Sequence, residues 1–554
     1  MSVGPKVIVI GIDGGCWDYI DPLLESGQLP NLQQLIDNGL RGILESTMPS
    51  ITPPAWSAFI TGKNPGKHGL FDFLVRIDAG FVPFSSMYRY GTPFWKYLNC
   101  GGLRVGIIGI PVTYPPEEVD GFMIAGFGAP ENSKSLTYPL DLLDSLEKKY
   151  GTYKVVIPHQ VADEKGLDNY LAASLENEAK QTRIALDLTR EYQLDLLAIN
   201  FQSADQFNHY SKNYAYVEKT LIGIDQNVGR VIEKFPDASF IVLSDHGSRR
   251  LQAIFLIRNW LFEQGLVHYL PREINSLTVS EVNHILAKLL QDHYGWNDVG
   301  EKLLRRLLGG LFSVLPAGGK QNFLNTLLRI VPYNFFYYQY TDQIDWEKTR
   351  IYELSGYGGF WVNPSDENPD RLEYEKLRQE LIRLLSSIQD PSSEKPLIQR
   401  IYRKEELYSG PFMDLAPDLV ADLNQSNCAF KVGGFQDNVK KSDLLIAPIN
   451  NFGAHTSEGM FIFCGRDFKG SVGWVKSASI VDIPATILHL FGVPIPEDYD
   501  GRVLTEYISE EFMAKTPVRF QEGDGELIRS TESPFSQEEM EGLAKRLREL
   551  GYIG

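Results

Sequence analysis

Four short runs in this chain are almost wholly apolar and do not alternate: Lys6 to Ile12 (KVIVIGI), Leu103 to Ile110 (LRVGIIGI), Leu194 to Phe201 (LDLLAINF) and Ser239 to Ser244 (SFIVLS). A strand with one wet face alternates polar and apolar residues, so an unbroken run needs cover on both faces. Helical patterns supply that cover at Leu32 to Asn38, Asp141 to Lys149, Leu167 to Tyr192 and Ala215 to Phe235. Strands and helices in alternation predict a doubly wound α/β fold, with a mostly parallel sheet between helical layers.

The texture then changes. From about Arg272 to Ile344 the chain is helical without strand signals, including Val282 to Gln291 and Glu301 to Leu315, which reads as an inserted helical cap. Strand-like runs return at Thr349 to Leu354, Phe360 to Asn363, Leu419 to Leu423 and Gly459 to Cys464, so the core is expected to resume there. A helix over Ile483 to Phe491 follows, and a polar tail ends in a short amphipathic helix, Gln537 to Leu550. The expected organisation is therefore core over 1–271, cap over 272–344, core again over 345–506 and a C-terminal tail over 507–554.

A length of 554 residues, 43% of them hydrophobic, allows one large α/β domain with insertions or two domains. The net charge of -18 repels a polyanion, so a protein that coats DNA or RNA is disfavoured. A small anionic substrate is compatible with that charge if metal ions supply local positive charge. Cys16, Cys100, Cys428 and Cys464 stand far apart, without CxxC spacing, and no disulfide framework is expected. The apolar run before Asp13 is too short for a signal-peptide core, and no run reaches a membrane span, so a cytoplasmic location is expected.

Polar residues at the ends of the apolar runs carry the chemical information. Asp13 follows the first strand and precedes Gly14-Gly15, where an open α/β sheet binds ligands, although an Asp there equally caps a helix or shapes a turn. Asp205 and His209 lie just past the third run. If that segment is helical, their spacing puts carboxylate and imidazole on one face. Asp245 and His246 end the fourth run before Gly247, and two ionisable groups at the end of a buried strand need solvent or a partner such as a metal. His455 lies in the Gly-rich GAHTSEG segment. In the segment PSITPPAWSAFITG, Thr52 before Pro53 reads as a helix N-cap, at a helix start that also suits phosphate. Its hydroxyl is a candidate nucleophile, with Ser50 and Ser57 as competitors. Carboxylates with imidazoles and no thiolate suit zinc or manganese, and two ions close together need about six protein ligands.

The order of GIDGG, PSITPPAWSAFITGKNPGKHG, DQFNH, SDHG, GAHTSEG and DIPATILHLFGVPIPEDYDGRVL resembles the alkaline phosphatase superfamily. It is most similar to the type I phosphodiesterase/nucleotide pyrophosphatase branch and a neighbouring phosphohydrolase/phosphomutase group. The resemblance implies an alkaline phosphatase-like core and two divalent metal ions, zinc first and manganese second. Asp205, His209 and His455 would hold one ion, and Asp13, Asp245 and His246 the other together with Thr52. It further implies attack by Thr52 on phosphorus and a phosphothreonyl intermediate that water hydrolyses. Threonine in place of the sulfatase-type cysteine argues against sulfate esters. The PPAW stretch departs from the family's FPNH, whose asparagine contacts a phosphoryl oxygen.

The implied substrate is a small phosphorylated molecule, a phosphodiester or pyrophosphate ahead of a monoester. The rival readings are a phosphomutase similar to the cofactor-independent phosphoglycerate mutases and a metal-binding member without turnover. Lys63, Lys67, Arg249 and Arg250 lie beside the motifs as candidate anion contacts, and the leucine- and aromatic-rich cap is a minor candidate for peripheral membrane contact. The sequence leaves the oligomeric state open.

Overall fold

The computed structural model describes residues 4–77, 80–131, 133–157, 164–270, 344–363, 371–389, 396–423, 428–430, 444–448, 452–523, 533–549 and 552–553. The cap expected over 272–344 lies outside the described residues, apart from Ile344, which bridges to Tyr269.

The four apolar runs become the neighbouring strands Ser239–Leu243, Val7–Ile12, Leu196–Phe201 and Val105–Ile108, all parallel and in that spatial order. Every residue of the four is buried, which is why the runs show no alternation. Gly121–Ile124 extends the sheet in parallel on one side, and Thr137–Tyr138 closes that edge antiparallel. On the other side Glu458–Cys464 joins antiparallel to Ser239–Leu243 and is itself flanked by Gly39–Glu45. Among the described residues the sheet is mostly parallel and has ten strands.

Helices cover both faces. Glu164–Tyr192 and Ala215–Lys234 pack against each other, with Pro30–Asp37 beside the latter, and Asp482–Leu490 packs with Thr52–Thr61 and Phe94–Cys100. Ala215–Lys234 buries Val217, Leu221, Ile224, Val228 and Val231, one stripe at helical spacing. Among the described residues no helix is long and apolar enough to cross a membrane.

The strands expected to resume the core divide between two places. Ile351–Glu353, Gly359–Val362, Leu419–Asp422 and Arg400–Arg403 form a separate antiparallel sheet, and Glu458–Cys464 alone of the four expected runs returns to the central one. Beyond the polar tail, the helix Gln537–Glu549 buries Leu543, Ala544 and Leu547. The Tyr552 amide then folds back onto the Leu547 carbonyl at 2.8 Å, which turns the Tyr552 side chain inward.

Candidate active site

Three adjacent parallel strands end at one edge of the sheet, and each delivers an acid there. Asp13 follows Val7–Ile12, and its backbone N–H donates to Phe201 O at 2.9 Å, so the turn is tied to the next strand. Asp205 and His209 lie on the helix Ser203–Tyr210 directly after Leu196–Phe201, one turn apart, so the helical condition for their pairing is met. Asp245 and His246 follow Ser239–Leu243. His455 arrives from far along the chain: Gly453–Thr456 pairs antiparallel with Gly247–Arg250, and the register sets His455 opposite Ser248. These six residues and Thr52 are all buried, none more than 6% exposed.

The side chains converge. His209 Nε2 is 3.3 Å and His455 Nε2 3.4 Å from Asp205 Oδ1, and the two nitrogens are 2.8 Å apart. His246 Nε2 lies 3.3 Å from Asp245 Oδ2 and 3.8 Å from Asp13 Oδ1. The donor atoms of Asp205, His209 and His455 all lie within 4.8 Å of one another, and so do those of Asp13, Asp205 and His246. Asp205 is thus common to two donor groups, and Asp245 stands beside the second.

The outer nitrogens of two imidazoles are already used. His455 Nδ1 donates to Ser50 O at 3.0 Å and His246 Nδ1 pairs with Gly247 O at 3.1 Å, which turns both Nε2 lone pairs into the cluster. Burial pulls His246 down to about 4 and His455 down to about 3, so both rings are neutral, the form that can ligate a cation. Burial, then Asp245 and Asp205, pushes the Asp13 carboxyl well above its ordinary range. Burial and Asp205 do the same to Asp245. Among the described residues, buried Asp13 Oδ1, Asp205 Oδ1, Asp245 Oδ2 and His246 Nε2 have no hydrogen-bond partner. Each such atom costs about 1–3 kcal/mol, and more when charged. Crowded carboxylates, inward lone pairs and orphaned acceptors are all satisfied by the same thing, positive charge at their centre. The residues present therefore fit divalent cations.

Thr52 lies in a segment that touches this cluster through Ser50 and Trp56. It is the first residue of the helix Thr52–Thr61, and the N-cap is Ile51, whose side chain makes no capping bond. The expected Thr52 cap is therefore corrected by one residue: Ile51 takes the extended cap conformation, and the threonine hydroxyl is not spent on the helix. Its competitors are spent, since Ser50 Oγ donates to Thr47 O at 3.0 Å and Ser57 Oγ to Pro53 O at 2.6 Å. Residues on either side of Thr52 touch the cluster. Ser50 O meets His455, and Trp56, one helical turn on, donates its indole N–H to Asp13 Oδ2 at 3.4 Å.

The chain matches the family described as type I phosphodiesterase / nucleotide pyrophosphatase over residues 7–310. The chain belongs to that family. A solved structure of murine ectonucleotide pyrophosphatase/phosphodiesterase 5, an inactive variant in complex with AMP, is similar with 11% identity and a TM-score of 0.48. The match covers 91% of this chain and 100% of that one. A second structure of the same murine protein gives 12% identity with the same TM-score and coverage. A search of curated proteins finds no match. Membership in this family makes the chain a phosphoester hydrolase by family.

The flanking cations resolve differently. Lys63 pairs with Asp498 and Lys67 with Asp500, each at 2.6 Å, while Arg250 is held by the carbonyls of Asn208, Ser211 and Lys212. Arg249, bonded to Leu423 O and Cys428 O, lines a cavity that also touches Ser50 and His455.

Two aromatic residues at the cluster were missed by sequence reasoning. The Tyr552 hydroxyl donates to Asp205 Oδ2 at 2.5 Å, and its ring stacks on Phe73 with centroids 4.6 Å apart. Tyr357 stacks on His455 at 5.0 Å. The available signals were slight: an apolar pair, Tyr552-Ile553, after a polar tail, and an aromatic set between glycines in SGYGG.

Proposed function

We propose that this chain cleaves a phosphodiester or pyrophosphate bond through Thr52, with two divalent cations bound by the six-residue cluster. The supporting observation is the convergence of Asp13, Asp205, His209, Asp245, His246 and His455 at one sheet edge, with donor atoms that have no hydrogen-bond partner among the described residues, in contact with Ser50 and Trp56 on either side of Thr52 in the chain.

Asp205, His209 and His455 would hold one cation, and Asp13, Asp245 and His246 the other, with Asp205 near both. The mixture of imidazole and carboxylate favours zinc, with manganese second. When bound, the cations supply Lewis acidity and neutralise phosphoryl charge.

The residues do the rest. The Thr52 hydroxyl would release its proton to solvent as its oxygen attacks phosphorus and the bond to the leaving oxygen breaks; the leaving oxygen takes a proton from solvent where it needs one, and water then hydrolyses the phosphothreonine, returning the Thr52 hydroxyl. Trp56 fixes Asp13, and the Ser50 carbonyl fixes His455, so two of the cluster residues are oriented by the segment that carries Thr52. The substrate class that follows is a small phosphorylated molecule.

The test is the metal content of purified protein, with hydrolysis of bis-p-nitrophenyl phosphate and p-nitrophenyl phosphate by wild type and Thr52→Ala. Two ions per chain, a preference for the diester and loss of turnover in Thr52→Ala are expected. Near-zero metal under replete conditions, or activity indifferent to Thr52, overturns the proposal.

A further inference from the structure

A phosphoryl group under attack gathers charge on its non-bridging oxygens, and hydrogen-bond donors aimed at them are among the larger contributions an enzyme makes. The start of a helix normally offers backbone N–H groups for this purpose. Here it cannot do so fully. Pro53 and Pro54 have no N–H, and the Ala55 N–H already donates to Ile51 O at 3.1 Å. Nearby side-chain donors are also committed: Trp56 to Asp13, Asn64 to Ser409 and Asp500, Lys63 to Asp498 and Lys67 to Asp500.

Tyr357 is different. Its hydroxyl is buried and has no hydrogen-bond partner among the described residues, although its ring is packed face to face with His455, with centroids 5.0 Å apart and planes 24° from parallel. It lines the cavity bounded by Ser50 and His455, whose volume is about 50 Å³. One water needs about 10–15 Å³ on this measure, so the space suits a group of several heavy atoms.

The loop that carries Tyr357 is held from below. Gly356 and Gly358 have φ of 79° and 86°, and a Cβ at Gly358 would stand 2.5 Å from Ala421 O, so both turns around the tyrosine require glycine. Ser355 Oγ donates to the buried Asp72 Oδ2 at 2.6 Å, the Gly356 N–H donates to Glu353, and Glu353 is paired with the buried Arg258 at 3.1 Å. A half-buried tyrosine whose hydroxyl is itself buried, on an anchored loop, is preorganised for an acceptor that arrives with the substrate.

We infer that Tyr357 is a catalytic residue whose phenol O–H donates a hydrogen bond to a non-bridging phosphoryl oxygen at the Thr52 site. This rests on the phosphoryl-transfer reading above. A phenol is protonated at neutral pH, so the donor is available throughout the working range of such an enzyme.

The test uses the metal-replete full chain and Tyr357→Phe, which keeps the ring on His455 and removes only the oxygen. Three quantities are read: metal content, kcat and KM for bis-p-nitrophenyl phosphate, and orthovanadate affinity by calorimetry. Unchanged metal, a kcat lower by about 10²-fold and weaker vanadate binding are expected. An active wild type whose Tyr357→Phe variant keeps kcat and vanadate affinity within threefold overturns the inference and leaves the Thr52 reading standing. Loss of metal together with activity in Tyr357→Phe also overturns it, since Tyr357 would then be a structural support of His455. A wild type without turnover is a failure of the Thr52 reading instead, and vanadate affinity still decides for or against the Tyr357 contact.

Discussion

Asp205 is the residue whose loss should be felt by both cations. Its Oδ1 lies 3.3 and 3.4 Å from the two imidazoles of one donor group, and it is also a member of the group formed with Asp13 and His246. Asp205→Asn keeps the shape and can still accept from Tyr552, but it removes the charge. His209→Ala touches only the first group and Asp13→Asn only the second. The expected ion contents are therefore near zero for Asp205→Asn and about one for each of the other two. Stability gives a second reading of the same linkage. A site saturated at 1,000 times its Kd adds about 4.1 kcal/mol. An unfolding entropy of about 2.1 cal/mol/K per residue over 554 residues comes to about 1.2 kcal/mol/K. Each ion then raises Tm by about 3.5 °C, and the pair by about 7 °C. The assay is metal analysis by mass spectrometry with melting curves in chelator and in excess zinc or manganese. The wild type should show the full shift, the two single-group variants about half and Asp205→Asn almost none. An Asp205→Asn protein that retains two ions and the wild-type shift refutes the idea that one carboxylate serves both groups.

Tyr552→Phe tests the brace on that carboxylate: it keeps the stack on Phe73 and removes the donor to Asp205 Oδ2, and a loss of about 10-fold to 100-fold in metal affinity is expected in chelator competition. Unchanged affinity would show that Asp205 is oriented without it. Asp72 tests the buried support of the Tyr357 loop through pH. Burial raises its carboxyl from 3.8 to about 7, so the folded state holds a proton that the unfolded chain has already released. The resulting stability is full below the unfolded value and is lost as pH rises toward about 7, by up to about 1.4 kcal/mol per pH unit. Urea midpoints at pH 5, 6 and 7 should therefore fall more steeply for wild type than for Asp72→Asn, and parallel profiles would rule out a buried, protonated Asp72.

Much of the central sheet was legible because burial on two faces leaves a local mark. Runs such as VIVIGI and LLAINF are unbroken, and each became a fully buried strand. Gly39–Glu45 lies in the same sheet and was not legible. Its sequence, GLRGILE, interrupts the apolar run with an arginine and a second glycine. The glycine has a tertiary reason, since a Cβ at Gly42 would stand 2.6 Å from the ring of Phe461 on the neighbouring strand. Only the partner strand, Glu458–Cys464, gives that pattern a meaning.

The site divides along the same line. An acid immediately after a buried strand is a local feature, and Asp13, Asp205 and Asp245 follow three strands that lie side by side, so placing the strands placed the acids. His455 is not local: it reaches His246 through a register between segments about two hundred residues apart, and a lone histidine in a glycine-rich loop gives no hint of it. The Thr52 cap was misplaced by one position because a threonine before proline is read from side-chain preference, whereas the boundary is set by backbone conformation, which turns extended at Ile51. Tyr357 and Tyr552 were least legible because a tyrosine acquires a role only from what its hydroxyl meets. One hydroxyl meets Asp205, and the other has no hydrogen-bond partner among the described residues. A buried donor with nothing to donate to is costly in a resting protein, and that cost is reasonable where a ligand with acceptor oxygens completes the site. The distribution of satisfied and unsatisfied atoms therefore separates the two tyrosines: Tyr552 is bonded to the carboxylate of Asp205, and Tyr357, which lines the cavity beside Ser50 and His455, is the one whose hydroxyl the proposed substrate would complete.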